Sequence, residues 1–125
     1  MFLHGIGTNA LLWRNVIAQV SGEHRRCIAL DLPLHGHSPA GHDRDFSLPA
    51  HAGTVEALYE ALGLSAIDLV ANDTGGAIAQ IFAAHHPGRL RTLRLTDCEA
   101  HDNVPPKAFR ATVWALDPAG GGRAR

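Results

Sequence analysis

The chain has 125 residues, enough for one domain with a modest core, and its 46% hydrophobic and 18% charged content is that of an ordinary globular protein. A formal net charge of −1 without a basic stripe argues against nucleic acid as a partner, and no stretch approaches the length of a membrane span. The nine histidines are scattered without metal-ligand spacing, so neither a metal nor a cofactor is expected; two cysteines, Cys27 and Cys98, suggest no disulfide framework and fit a reducing cytoplasm.

Met1 to Leu3 reads as the end of a strand rather than as a signal peptide, and the glycine turn His4-Gly5-Ile6-Gly7 follows it. Asn9 to Val20 reads as a helix: Leu11, Leu12, Val16, Ile17 and Val20 fall near helical spacing, Thr8 or Asn9 offers a cap, and Gly22 a stop. Arg26 to Leu30 is expected to form a short buried strand closed by Asp31-Leu32-Pro33. A loop rich in Gly, His, Pro and Asp runs from Leu34 to Phe46. Ser47 then caps a helix with Pro49 in its first turn, an apolar face of Ala52, Val55, Leu58, Tyr59 and Leu62, and Gly63 as its stop.

The next stretch organises the rest. An apolar run, Ala66 to Val70, stops at Ala71-Asn72-Asp73-Thr74-Gly75-Gly76, and helical spacing begins at once with Ala77, Ile78, Ile81, Phe82 and Ala84. This is a strand, a sharp turn and a helix with Asp73 at the apex. So tight a turn needs small residues two before and two after the apex, and Ala71 and Gly75 supply them. An acid there is favoured by the helix N-terminus; the plainer reading is that Asp73 is only an N-cap. Pro87-Gly88 ends the helix, and Leu90 to Leu95 alternates as a strand does, leading to Thr96-Asp97-Cys98-Glu99.

Strands alternating with helices call for an α/β fold, a parallel sheet with helices on both faces and ligands at the carboxyl ends of the strands. His4 to Gly7, Asp31, Asp73 and Asp97 all fall at such ends. After Val104 the pattern changes: Pro105-Pro106 breaks the chain, Lys107 to Leu116 reads as a short helix, and Asp117 to Arg125 is expected to be disordered. Residues 1–104 are thus read as the core and 105–125 as the start of a further segment with a tail.

Together these pieces resemble the α/β-hydrolase superfamily. Leu3-His4-Gly5-Ile6-Gly7 is similar to the turn after the family's third strand, Asp31-Leu32-Pro33-Leu34-His35-Gly36-His37-Ser38 to its Asp-x-Pro-Gly-x-Gly-x-Ser loop, with Leu34 in place of a glycine, and Ala71 to Gly75 to its nucleophile elbow. The resemblance implies a partial fold, about strands three to six of the family's eight. Aspartate at the elbow narrows it to haloalkane dehalogenases, epoxide hydrolases and their relatives, which implies Asp73 as the nucleophile, a covalent ester intermediate, an oxyanion hole of the Ile6 and Thr74 N–H groups, turn and elbow glycines at Gly5, Gly7, Gly75 and Gly76, and a small-molecule substrate.

This sequence departs from both subgroups. Dehalogenases commonly have Asn or Gln at the position of Ile6 and Trp at that of Thr74; epoxide hydrolases usually have Pro at that of Gly7 and two cap tyrosines, whereas Tyr59 is the only tyrosine here. Asp97 stands about where the acid of the His–acid pair is expected, with Glu99 as second choice. The family's histidine follows its eighth strand, so the resemblance implies a truncated, catalytically incomplete chain unless His35, His37 or His101 substitutes. The alternative is a non-catalytic binding module on the same fold. A dinucleotide-binding fold is matched only in part, by Gly5-x-Gly7 followed by Ala10. Oligomeric state is not legible.

Overall fold

The computed structural model describes residues 1–22, 24–41 and 43–99, with Asn103, Lys107 and Arg110 beyond them. In chain order it places β1 (Phe2–Leu3), a 3₁₀ turn (Ala10–Trp13) running into α1 (Arg14–Val20), β2 (Ala29–Leu30), α2 (Leu48–Ala61), β3 (Ile67–Asp73), α3 (Thr74–His85), a 3₁₀ turn (Pro87–Arg89) and β4 (Leu90–Cys98). The four strands form one parallel sheet in the order β2-β1-β3-β4. Of the helix expected over 107–116 only Lys107 and Arg110 are described, both helical; the rest of it, and the tail 117–125, lie outside the described residues.

Alternation across the strands sorts the layers. Leu3, Ile67, Leu69 and Ala71 share a core cluster with Val55 and Tyr59 of α2 and Ile78, Ala79 and Phe82 of α3. Phe2 points to the opposite face and packs on Trp13, with ring centroids 5.4 Å apart. Helices α2 and α3 thus cover one face of the sheet, and the Trp13 segment covers the other at β1 and β2, while β4 is largely exposed, Leu93 and Leu95 included.

Local chemistry explains the ends of α2. The Ser47 hydroxyl accepts from the Ala50 N–H at 3.3 Å, Pro49 sits in the first turn, and Gly63 takes φ 58° just past the end. Tyr59, buried, donates from its hydroxyl to the Ser65 carbonyl at 2.7 Å.

Two expectations need correction. The strand over Arg26 to Leu30 shrinks to Ala29–Leu30, half-buried at a sheet edge, because only these residues pair with β1. The segment from Asn9 does not lay its leucines on the core: Asn9 caps it, accepting from the Leu11 N–H at 2.9 Å, but Leu11, Leu12 and Val16 are exposed and Trp13 is buried. The first turn is 3₁₀, and three residues per turn shift the phase of every side chain that follows.

Candidate active site

β3 ends at Asp73 and α3 begins at Thr74 with no intervening residue. The chain makes this reversal by putting Asp73 at φ 53°, ψ −134°, a region that side chains rarely occupy. Asp73 stands at the N-cap position, yet its side chain makes no capping bond. Instead its Oδ2 accepts from the Ile6 N–H at 3.0 Å. The carboxylate is thus turned out of the helix and towards the glycine turn after β1.

The small residues of the motif meet specific neighbours. A Cβ on Gly75 would overlap the His4 carbonyl, one on Gly76 would overlap the Cys98 side chain, and one on Gly5 would overlap the Asp73 carboxylate. Gly5 and Gly75 therefore let β1 and the start of α3 approach until the Ile6 N–H reaches Asp73. Gly7 takes φ 73° and has open space around it, so it serves the turn and not a close approach. Thr74, buried, occupies the first turn of α3, where N–H groups lack helical acceptors.

His4 holds this turn against the next one. The ring is fully buried, its Nε2 accepts from the Leu32 N–H at 3.0 Å, and its Nδ1 therefore carries the proton that it donates to the Gly5 carbonyl at 2.8 Å. Burial pushes its pKa below the ordinary imidazole value, the Gly5 bond opposing. Asp31, which the sequence places at a strand end with the reactive groups, serves structure: its carboxylate accepts from the Ala10 N–H at 2.7 Å and the His37 N–H at 2.8 Å, and its carbonyl accepts from the Ser38 hydroxyl. Those backbone donors, His37 first, lower its pKa.

The acids after β3 fare differently. Between Asn72 and Asp73 the β3–β4 register slips so that Asp73 lies opposite Cys98, which leaves Asp97 as an extra residue at φ 41°, exposed. Glu99 lies two residues on and is 9% exposed; its Oε2 has no partner among the described residues, while its carbonyl accepts from Gln80 at 2.8 Å. The structure thus brings Gly5, Ile6, Asp73, Thr74, Gly75 and Gly76 together, and Asp97 only as a neighbour along the sheet edge. His101 lies outside the described residues.

A cavity of about 220 Å³ opens beside Ile6 and Thr74. Its wall is Leu32, Pro33, Leu34 and His35 from the loop after β2, Phe46, Leu48 and His51 from the approach to α2, and Ile78 from α3. The wall is apolar apart from Thr74 and the two imidazoles. His35 bonds the Pro33 carbonyl through Nδ1 at 3.0 Å and packs on His4 at a tilt of 55°, centroids 5.1 Å apart. Burial, then the neighbouring His35 and Arg44, lowers the His51 pKa, and its Nδ1 has no partner among the described residues. Sequence reasoning missed His51. The available signal was its place one turn after Leu48, on the side of α2 that carries Ala52 and Val55. Among the described residues no group of three or more His, Cys, Asp or Glu is placed to hold a metal ion, and no helix is long and apolar enough to cross a membrane.

Known proteins resemble this chain in sequence and fold. A family model for the alpha/beta hydrolase fold matches residues 1–103. A haloalkane dehalogenase of Agrobacterium fabrum is 34% identical over 93 residues, covering 74% of this chain and 30% of that protein. A 2-hydroxy-6-oxo-2,4-heptadienoate hydrolase of Pseudomonas putida is 33% identical over 122 residues, covering 95% and 44%. Among solved structures, the haloalkane dehalogenase DatA from Agrobacterium tumefaciens C58 superposes with a TM-score of 0.70 at 33% identity over 78% of this chain and 33% of that one. An epoxide hydrolase solved without ligand gives 0.72 at 30% identity, over 78% and 34%. The chain spans under half the length of each of these relatives. With three sequence motifs, a four-stranded parallel sheet and a family match over most of its length, the chain belongs to the α/β-hydrolase fold family.

Proposed function

We propose that the chain carries the nucleophile and oxyanion-binding half of a hydrolase site, with Asp73 attacking an sp³ carbon of a small apolar molecule. One observation carries this reading: the Asp73 carboxylate declines the helix-capping bonds open to it and accepts the Ile6 N–H instead. With Oδ2 held there, Oδ1 is the oxygen without a partner among the described residues. Oδ1 forms the new bond to carbon, the leaving group departs with its bonding electrons, and an ester of Asp73 results. Water would then attack the ester carbonyl. The oxyanion formed falls on the oxygen that Ile6 already binds, with the Thr74 N–H as second donor.

Hydrolysis of that ester needs a base. His4 has both ring nitrogens engaged, and His35 has one. Among the described residues no imidazole bonds Asp73, and the reading has this chain accumulate the ester and release product slowly or not at all. For the acid that orients a catalytic imidazole, Glu99 fits better than Asp97, being buried with an oxygen that has no partner among the described residues, where Asp97 is exposed.

The test is mass spectrometry after exposure to an alkyl bromide and to an epoxide. A mass increment on the peptide containing Asp73, absent from Asp73→Asn, is expected. Labelling elsewhere only, or equal labelling of both proteins, would reject the assignment; steady multi-turnover release would reject the accumulated ester alone. The non-catalytic alternative predicts no increment and no change in ligand binding on Asp73→Asn, since the side-chain oxygen of Asn can still accept the Ile6 N–H.

A further inference from the structure

The loop after β2 contains a residue in the wrong conformation for its side chain. The His35 N–H donates to the Leu32 carbonyl at 2.9 Å, which closes a four-residue turn with Pro33 and Leu34 at its centre. Leu34 takes φ 66° there. Proline followed by a residue of positive φ is the type II pattern, whose third position asks for glycine or asparagine. A second bond, from the Leu34 N–H to the Ser38 carbonyl at 2.9 Å, fixes the same conformation. A leucine held in this region is strained, and its side chain gains nothing from burial in the core: Leu34 is 57% exposed.

What the side chain does reach is the cavity lined by Thr74, which follows Asp73 in the chain, and by Ile6, which donates to the Asp73 carboxylate and is itself 70% exposed. Two large apolar side chains thus stand at one mouth. An apolar cavity of about 150 Å³ takes benzene, so the space here, about 220 Å³, suits a ligand only modestly larger. No Lys, Arg, Asp or Glu lines it among the described residues, and a wall that is apolar apart from Thr74 and the two imidazoles favours an uncharged ligand.

We propose that Leu34 is a specificity-determining residue: held in a strained turn, it closes one side of the pocket and restricts it to compact, uncharged, apolar substrates. This rests on the reading of the cavity as the substrate pocket of Asp73, but not on the chemistry of that residue.

The test therefore measures binding and not reaction. Phenol and 2-naphthol are titrated into the full chain carrying Asp73→Asn, and the amide signals of Thr74 and Ile78 are followed by NMR. The Asp73→Asn protein should bind phenol and discriminate against 2-naphthol by about tenfold, since the second ring must be forced against a filled wall. Adding Leu34→Gly, which relaxes the turn, and adding Leu34→Ala, which keeps the strain, should each abolish most of that discrimination. Unchanged discrimination in both variants overturns the proposal. So does a change confined to Leu34→Gly, because the loop conformation and not the side chain would then set the limit. Failure of phenol to shift Thr74 or Ile78 removes the pocket itself, whereas failure of Asp73 as nucleophile shows only in the labelling experiment.

Discussion

Glycine-to-alanine replacement at two helical positions separates the constraint that builds the site from ordinary helix propensity. At Gly53, inside α2, an added Cβ meets nothing within 4 Å. Alanine there should stabilise the protein by about 0.5–1 kcal/mol, the usual gain in a helix interior. At Gly75 the same Cβ would overlap the His4 carbonyl oxygen and come within 3.0 Å of the His4 carbonyl carbon and the Leu3 carbonyl oxygen. These are backbone atoms at the end of a strand paired on both sides, so no flexible side chain can yield. Overpacking costs roughly 1–3 kcal/mol, and a backbone obstacle takes the upper end of that range. After the propensity gain, Gly75→Ala should be destabilised by about 2 kcal/mol, or very roughly 10 °C in Tm for a domain of this size. Urea unfolding followed by circular dichroism reads both variants on one scale, provided the slopes agree with the parent's. The two changes should have opposite signs and differ by about 3 kcal/mol. If they agree in sign, or differ by under about 1 kcal/mol, the close approach of β1 to α3 is not what makes Gly75 glycine.

Three further outcomes follow from the same contacts. Gly5→Ala strikes the Asp73 side chain and not backbone, so stability should fall less than for Gly75→Ala while labelling of Asp73 drops sharply; a variant labelled at the parent rate would contradict the packing described. Asp31→Asn replaces one accepting oxygen by a donor and strands either the Ala10 or the His37 N–H, at a cost of about 1.5–3 kcal/mol in urea melts, and a neutral result would show the loop is held otherwise. The buried His4 and the largely buried His51 both have pKa values below the ordinary imidazole one, so the folded state favours their neutral forms. Their stabilisation is full above the unfolded value of about 6.5 and is lost as the pH falls below it towards the folded pKa values; melts at two pH values on either side of that point should show the acidic sample weaker, and a gain on acidification would refute the assignment.

The elbow was legible because its rule is steric and local. Ala71, Asp73 and Gly75 stand at fixed offsets in the sequence, and the structure supplies the obstacle behind the last of them, the carbonyl of His4. The Ser47 cap and the Gly63 stop were legible for the same reason. Features set by the phase or register of a whole element were not. The exposed Leu11 and the buried Trp13 depend on a 3₁₀ turn, and the outward Asp97 depends on one extra residue in β4; neither leaves a mark in composition. The pocket was hidden more deeply, since its wall draws on four segments far apart in the chain and its one polar surprise, His51, looks like a surface residue of α2 when read alone.

The placement of β1 has a consequence for how the protein folds. This two-residue strand, among the first residues of the chain, lies between β2 and β3, and it pairs Phe2 with Val70. The hydrogen bond that joins the two halves of the site spans 67 residues of sequence. Helices α2 and α3 and the β3–β4 pair close over much shorter distances and need not wait for it. Insertion of β1 is thus the long loop closure of the fold, of the kind that slows folding through its entropy. The Ile6 amide should acquire protection from hydrogen exchange only as that strand docks, so the same contact that orients the carboxylate also reports, in time, the closure of that loop.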